Sequence, residues 1–298
     1  MAATDLLSGR EVEVRPVGVS PVVRDAVPGI TLTRPDQQKR RHRKLRLPRM
    51  ARRVIGPLVV LGLWQLVCSV GVFTKVEVAS PIAVFDAGRQ LWADGSLQSN
   101  VLVSLRRVAE GLAVGVSIGV VLAVLSGLFR AGEDLLDPVI HMARSVPILG
   151  LLPLAIIWFG VGEVPKIFLI ALGTMFPVYL NTYAGIRGVD VKLVEAGETF
   201  GLSRWGLVRR VILPGAVPGF LTGLRFALVG CWLIIVVAEE INAQSGIGYL
   251  IMQAQTTDRT DIMFLGLAIY AMFGLLAELL VRLLERRLLS WRHGFTGS

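Results

Sequence analysis

The stretch EAGETFGLSRWGLVRRVILPGAVP, from Glu195 to Pro218, decides how the rest of this sequence is interpreted. Long apolar runs flank it, yet it carries charged residues, glycines and two prolines. The whole chain of 298 residues is 53% hydrophobic and only 18% charged, with a mean hydropathy of +0.64. That composition leaves too little polar surface for a soluble domain and predicts a multi-span membrane protein, which this polar stretch interrupts.

Six apolar runs are candidates for helices that cross a bilayer, which takes roughly twenty residues each. They lie at Val54–Phe73, Val101–Phe129, Val146–Phe159, Ile167–Tyr183, Phe220–Ala238 and Ile262–Leu284. The third is the shortest, and prolines interrupt it. We therefore expect an all-α membrane protein with about six transmembrane helices.

A strongly basic run precedes the first span. Lys39–Arg53 holds nine basic residues and no acidic one. A nucleic-acid patch is one interpretation, but the run abuts an apolar segment at once, which favours a cytoplasmic flank that contacts anionic lipid. Residues 1–53 are predicted to be a disordered basic cytoplasmic tail, and residues 54–298 a transmembrane domain. A cleaved signal peptide is disfavoured because no small-residue cleavage site follows.

The distribution of basic residues predicts the orientation. An even number of spans puts both termini on one side, and Lys and Arg concentrate before the first span, in residues 187–218 and at the C-terminal end. The loop Arg130–Arg144 is neutral to acidic and gives no signal. Because basic residues favour the inner face, both termini and the opening stretch are expected in the cytoplasm.

Within residues 187–218 the pattern predicts two short helices. Val191–Phe200 is amphipathic, and Gly201 suits a left-handed C-terminal cap. Ser203 can cap a second helix, which Pro214 and Pro218 are expected to end. Two interpretations stay open at this point: a protruding plug that fits a groove on another protein, or a hairpin lying flat on the membrane surface.

The same stretch resembles the cytoplasmic EAA loop of permease subunits of binding-protein-dependent ABC importers. In that pattern E-A-A is followed after three residues by G and, nine residues later, by I-x-L-P. The matching residues are Glu195, Ala196, Gly201, Leu213 and Pro214, while Gly197 and Val211 depart from it. The resemblance implies a type I, MetI-like permease fold in which Glu195, Ala196, Gly197, Gly201, Leu213 and Pro214 couple the chain to an ATP-hydrolysing subunit.

Other stretches narrow the resemblance to one branch. Those at 156–166, 181–190, 223–251 and 283–291, among them IIWFGVGEVPK and LLERRLLSW, are similar to sulfonate, taurine and nitrate permeases, the aliphatic-sulfonate members above all. This implies a permease homodimer in the bacterial cytoplasmic membrane, with ABC ATPase subunits inside and a substrate-binding protein outside. Sulfonates are the expected cargo, with taurine, nitrate or another small anion as alternatives.

Nucleotide chemistry is not encoded in recognisable form. The sequence has no G-x-x-x-x-G-K-[ST] loop, so we expect a transport subunit that is not itself an enzyme and has no cofactor or metal of its own. An ion-coupled secondary transporter is the first rival, but no inverted repeat stands out. A membrane enzyme is a weaker rival, because no nucleophile–base cluster is visible.

Ionisable residues inside spans are candidates for the substrate path because burying them is costly. We consider Arg225, Glu239 and Asn181. For Arg225, snorkelling or a salt bridge is favoured over an anion contact. Glu239 and Glu240 end the fifth span at the predicted outer face, where structural pairing is favoured over an outer gate.

Three local patterns complete the expectations. Glu110 can pair with Arg106 or Arg107 at helical spacing. Small residues every fourth position predict close helix packing, at Gly111, Gly115 and Gly119. The sequence SGIGYL, with Gly246 and Gly248, is expected to form a re-entrant or surface turn on the outer side.

Overall fold

The computed structural model describes residues 49–71, 74 and 76–289. These residues form helices joined by short turns, and the predicted tail up to residue 48 lies outside them. The helices are α1 (Arg49–Ser69), α2 (Pro81–Ala93), α3 (Ser96–Leu128), α4 (Arg130–Ala143), α5 (Leu152–Phe159), α6 (Val164–Arg187), α7 (Val191–Thr199), α8 (Arg204–Leu207), α9 (Leu213–Asn242), α10 (Ile247–Thr256) and α11 (Thr260–Leu288). A 3₁₀ turn, Ile148–Leu151, precedes α5, and a π turn, Val208–Ile212, joins α8 to α9.

The glycine stripe on α3 brings that helix against α6, as predicted. A Cβ at Gly111 would lie 2.6 Å from the Cβ of Ile170, and one at Gly115 would lie 2.3 Å from the carbonyl oxygen of Ala171. At Gly119 the nearest atom would be the carbonyl oxygen of Met175 at 2.8 Å. Only glycine permits such an approach, and because the contacts advance in the same direction on both helices, α3 and α6 run parallel.

Because α3 and α6 are parallel, the chain must return from the end of α3 to the opposite end of the bundle before α6 begins. The segment that does so is bent by 84° between α4 and the 3₁₀ turn that leads into α5. The prediction of a single span at Val146–Phe159 was therefore wrong, as was that of a loop at Arg130–Arg144, since α4 covers most of that loop. Pro147 stands just before the 3₁₀ turn, where its ring disfavours a helical residue ahead of it.

Helix α6 packs on its other side against α9, in antiparallel direction. A Cβ at Gly219 would lie 2.4 Å from the carbonyl oxygen of Asn181, and one at Gly223 would lie 2.7 Å from that of Pro177. The largest apolar core, which includes Leu169, Ile235 and Ile247, joins α6, α9 and α10. Helix α6 is thus the centre of the bundle, between α3 and α9.

The predicted spans fall on helices, although their lengths differ. Four helices are long and apolar enough to cross a membrane, or up to five if the bent pair counts as one span. The apolar part of α1, Ile55–Ser69, is shorter. Helices α2 and α10, like α4, lie outside the predicted spans and were not foreseen. The all-α class is confirmed among the described residues, and the number of six is approximate.

Candidate coupling segment and outer ionic cluster

Helix α7 forms where the sequence predicted it. Asp190 is its N-cap, and the side-chain carboxylate accepts a hydrogen bond from the backbone N–H of Lys192 at 3.0 Å. The helix runs over Val191–Thr199 and buries Gly197. Glu195 and Ala196 are exposed. The start of α7 is therefore fixed by a local cap only a few residues beyond α6.

The end of α7 is a Schellman motif. Gly201 adopts a left-handed conformation with φ +76°. Its N–H donates to the carbonyl of Glu198 at 2.8 Å, and the N–H of Leu202 donates to the carbonyl of Gly197 at 3.0 Å. This pair of bonds satisfies carbonyls that the helix leaves free and sets the direction in which the chain leaves α7.

Gly197, which departs from the alanine of the resembled pattern, has a packing reason. A Cβ there would lie 2.6 Å from Cδ2 of Leu207 and 3.3 Å from Cδ1 of Leu202. Leu207 belongs to α8 and is buried. The glycine thus lets a larger side chain of the second helix pack directly on the first, which fixes the angle between them.

The second helix of the segment is not a separate element, so one prediction was wrong. Ser203 caps α8 as expected, accepting from the N–H of Gly206 at 3.2 Å. However, α8 continues through the π turn into α9 without a break, and Pro214 and Pro218 lie within that continuous helix. Proline removes a helical hydrogen bond and crowds the preceding turn. The π turn, which is wider than an α-helical turn, covers Val208–Ile212 and so occupies the turn that Pro214 would crowd.

The residues from Asp190 to Pro214, called the coupling segment below, present an exposed apolar edge. Phe200 is 87% exposed, and Leu193 and Trp205 are also exposed. All three lie beyond the end of α6, in the same segment as the exposed Glu195. Large apolar side chains beside charged groups are typical of a protein-binding surface.

A buried ionic cluster lies at the opposite end of the bundle, centred on Glu239. This carboxylate is 0% exposed and accepts hydrogen bonds from Ser104 Oγ at 2.7 Å and Arg107 Nη1 at 2.7 Å. The backbone N–H of Gly248 donates at 2.9 Å and the hydroxyl of Tyr270 at 3.2 Å. The predicted structural pairing of Glu239 is therefore observed, and it ties α3, α9, α10 and α11 together.

Arg107 extends this cluster to the start of α6. Its Nε and Nη2 both donate to the carboxylate of Glu163, the latter at 2.6 Å. Hydrogen bonds from Arg107 hold the pKa of Glu163 below its ordinary value. The ammonium of Lys166, 3.9 Å from Glu163, donates to the carbonyl of Gly162 at 2.6 Å. We call Ser104, Arg107, Glu163, Lys166, Glu239 and Tyr270 the outer cluster, after the outer face that the sequence predicts for Glu239.

Most of the outer cluster was missed by the sequence reasoning. Glu110 pairs with Arg106, with Nε to Oε1 at 2.6 Å, whereas Arg107 does not contact it. The spacing held a usable signal: Arg107 precedes Gly111 by four residues and so continues the buried glycine stripe of α3. A cation on a packed face needs ionic partners there, and Glu163 just before α6 and Glu239 on α9 are those partners.

The turn predicted at SGIGYL is present, though shorter than expected. Gly246 has φ +116°, and its N–H donates to Oδ1 of Asn100 at 2.6 Å. A Cβ at Gly246 would lie 2.5 Å from the carboxylate of Glu239. Gly248 already belongs to the first turn of α10. The glycines therefore allow the backbone to approach and bind Glu239.

The three proposed substrate-path residues are not brought together. Arg225 pairs with Glu285 at 2.7 Å and Glu278 at 3.3 Å on α11, as the salt-bridge interpretation expected. Asn181 donates to the carbonyl of Pro177 at 2.8 Å and lies at the crossing of α6 with α9. Along α9, Arg225 and Glu239 are separated by about 21 Å at helical rise. A role in the substrate path stays a prediction for each.

Tyrosines join α4 to the end of α6 beside the coupling segment. The hydroxyl of Tyr179 donates to Asp137 at 3.1 Å, and that of Tyr183 donates to Glu133 at 2.6 Å. Arg187, the last residue of α6, forms an ion pair with the same Glu133. These contacts hold α4 against the half of α6 that leads into the coupling segment.

These features define a multi-pass helical membrane protein. It has long apolar helices, buried ion pairs between them and a polar helical segment beyond their ends. The family model described as "Binding-protein-dependent transport system inner membrane component" matches residues 115–290. Since this is more than half of the chain, the protein belongs to that family: it is an inner-membrane permease component of a binding-protein-dependent ABC transport system.

Individual relatives point to one branch of the family. The chain is 46% identical over 239 residues to an Escherichia coli protein named "Putative aliphatic sulfonates transport permease protein SsuC", covering 80% of this chain and 91% of the relative. A Bacillus subtilis protein of the same name is 41% identical over 241 residues, covering 81% and 87%. The Escherichia coli taurine transport system permease protein TauC is 37% identical over 246 residues, covering 80% and 89%. The resemblance to the sulfonate branch is thereby confirmed.

A solved structure has the same fold. A chain from the crystal structure of an amino acid ABC transporter with histidines aligns with a TM-score of 0.56 at 20% identity. The alignment covers 67% of this chain and 97% of that chain. The predicted class of an ABC-importer permease fold is confirmed at this level.

Proposed function

We propose that this chain is the transmembrane permease subunit of an ATP-driven importer that translocates a small oxyanion, above all aliphatic sulfonates, across the bacterial cytoplasmic membrane. Taurine, nitrate or another small anion is the alternative cargo. The names of the relatives support a sulfonate. The coupling segment carries the proposal, because its exposed apolar edge and its match to the EAA pattern suit a partner that supplies ATP hydrolysis.

The mechanism follows from how the coupling segment joins the bundle. Helix α8, the π turn and α9 are continuous, so a force applied at Trp205 acts along one helix to Glu239 at the other end. Gly197 and Leu207 lock α7 to this helix, and the Schellman motif at Gly201 holds their angle. ABC ATPase subunits grip the segment in the cytoplasm, and their closure and release tilt α9 to open the path outward and then inward.

The assembly contains two copies of the permease, two ATPase subunits and an extracytoplasmic substrate-binding protein. Both termini lie in the cytoplasm, on the side of the coupling segment, as the basic residues favour. The ATPase partner hydrolyses the nucleotide, so the permease itself is not an enzyme. The partner acts through Glu195, Ala196, Gly197, Gly201, Leu213 and Pro214.

The test is ATP-dependent uptake of an alkanesulfonate by proteoliposomes that contain the complete importer. We expect Glu195→Ala and Gly201→Asp to insert normally yet reduce uptake more than about tenfold, because the partner contact or its supporting cap is lost. Glu198→Ala is the matched control, an exposed acid on the same helix outside the pattern. Normal uptake by Gly201→Asp, or uptake driven by an ion gradient without nucleotide, would overturn the proposal.

A further inference from the structure

The two edges of the Arg107 guanidinium bind different carboxylates. One edge donates to Glu239 and to the carbonyl of Ser245, both at 2.7 Å. The other edge, formed by Nε and Nη2, donates to both oxygens of Glu163. A planar guanidinium binds any group that presents two oxygens at this spacing, and sulfonate does so as carboxylate does.

The two carboxylates are also held differently. Glu239 is completely buried and has a hydroxyl and a backbone N–H among its donors besides Arg107. Glu163 is 54% exposed, and the partners recorded for it are Arg107 and Lys166. Gly160 and Gly162, just before it, have φ +77° and +156° in a turn that glycine makes easily. Glu239 is therefore enclosed, whereas Glu163 reaches the surface while it pairs with Arg107.

Lys166 supplies a second cation at the same position. It is only 2% exposed, and its ammonium lies 3.9 Å from Glu163. The recorded hydrogen bond of the ammonium is to the carbonyl of Gly162 at 2.6 Å, so donors remain for an incoming anion. If Glu163 moves aside, the two positive charges of Arg107 and Lys166 face only the negative charge of Glu239, which leaves one positive charge for an incoming anion.

An apolar groove of about 330 Å³ begins at Val164, the residue after Glu163. On α6 its lining includes Ile167 and Ala171, which lie four and eight residues beyond Glu163 and hence on the same helix face. On α3 it includes Val114, seven residues beyond Arg107. The groove therefore extends along the α3–α6 seam from the position next to Glu163, with apolar walls that suit an alkyl chain.

We propose that Arg107 and Lys166 form a binding site for the head group of an alkyl oxyanion, whose alkyl part lies in the α3–α6 groove, and that the carboxylate of Glu163 occupies this site in its absence. The inference rests on the proposed function, since it assigns the cargo a place in the permease. Glu163 acts as an internal competitor that the incoming oxyanion displaces.

Isothermal titration of the purified importer in nanodiscs with 1-butanesulfonate tests the site. Glu163→Gln removes the competing charge and leaves the size of the side chain, so we expect the Kd to fall about tenfold. Glu110→Gln is the matched control, which removes the same charge from the neighbouring pair with Arg106 and leaves the Kd unchanged. An unchanged or weaker Kd in Glu163→Gln overturns the site.

A second variant tests the groove, and it keeps the proposal testable if Glu163→Gln does not fold. Val114→Trp fills the apolar space, so we expect weaker binding of 1-butanesulfonate with unchanged binding of methanesulfonate. Equal effects on both ligands contradict the groove. ATP-driven uptake by the wild-type importer distinguishes failure of this site from failure of the proposed function. If the wild type takes up the sulfonate but Glu163→Gln does not change the Kd, only the site is refuted. If Glu163→Gln binds more tightly but the wild type shows no ATP-driven uptake, only the proposed function is refuted.

Discussion

Arg107 Nη1 lies 2.7 Å from Glu239 Oε1, and neither side chain is more than 2% exposed. The pair joins α3 to the last turn of α9. An ion pair buried this deeply is stable only when further donors complete it, and Ser104, Gly248 and Tyr270 do so here.

Breaking this pair should therefore destabilise the bundle. Arg107→Met leaves the carboxylate of Glu239 buried without its cation, at a cost of about 3–5 kcal/mol. We expect a clear fall in the thermal unfolding midpoint of the purified protein, followed by tryptophan fluorescence. Arg106→Met is the control, because Arg106 is exposed and only pairs with Glu110. Equal midpoints for the two variants would show that the buried pair contributes nothing.

The contact between Gly197 and Leu207 makes a prediction opposite to that of helix propensity. Alanine favours a helix by about 1 kcal/mol over glycine, yet its Cβ would lie 2.6 Å from Leu207 Cδ2. We expect Gly197→Ala to lower ATP-driven uptake, because α7 must shift away from α8. Leu207→Ala should restore part of it in the double variant, as a double-mutant cycle would measure. Additive losses would contradict a direct contact.

Because α3 packs closely on α6, the effect of a glycine-to-alanine substitution on stability should depend strongly on its position. Gly115→Ala places a methyl group 2.0 Å from Thr174 Oγ1 and 2.3 Å from a backbone carbonyl, which side-chain movement alone cannot relieve. We expect a loss of about 1–3 kcal/mol or more, measured as a lower thermal midpoint and yield. Gly230→Ala, with open space around it, should be neutral or stabilising. Comparable losses at both positions would argue against the close α3–α6 contact.

The Glu163–Arg107 ion pair predicts a pH effect on stability. The pKa of Glu163 is lower in the folded protein than in the unfolded chain. The stabilisation from its carboxylate is therefore fully present above the ordinary glutamate pKa of about 4.3 and is lost as the pH falls through the folded-state pKa. We expect the midpoints of the wild type and Glu163→Gln to converge as the pH is lowered below about 4. A difference that does not change with pH would mean that the carboxylate charge is not involved.

These features differ in how far the sequence could predict them. Apolar length located the four long helices α3, α6, α9 and α11, and Gly201 and Ser203 marked caps because helix ends have local requirements. The outer cluster was hidden because its members come from residues 104 to 270 and meet only in the fold. Pro214 was misjudged since a π turn, which no local pattern announced, lets the helix continue through it.

The central claim is that a cytoplasmic ATPase grips the coupling segment, and site-specific photocrosslinking tests it most directly. A benzophenone amino acid replaces Phe200 in one variant and Trp92 in another, both exposed aromatic residues at opposite ends of the bundle. In membranes that contain the complete importer, we predict an adduct with the ATPase from position 200 and none from position 92. An adduct from position 92, or none from position 200 in an importer that is active, would contradict the claim.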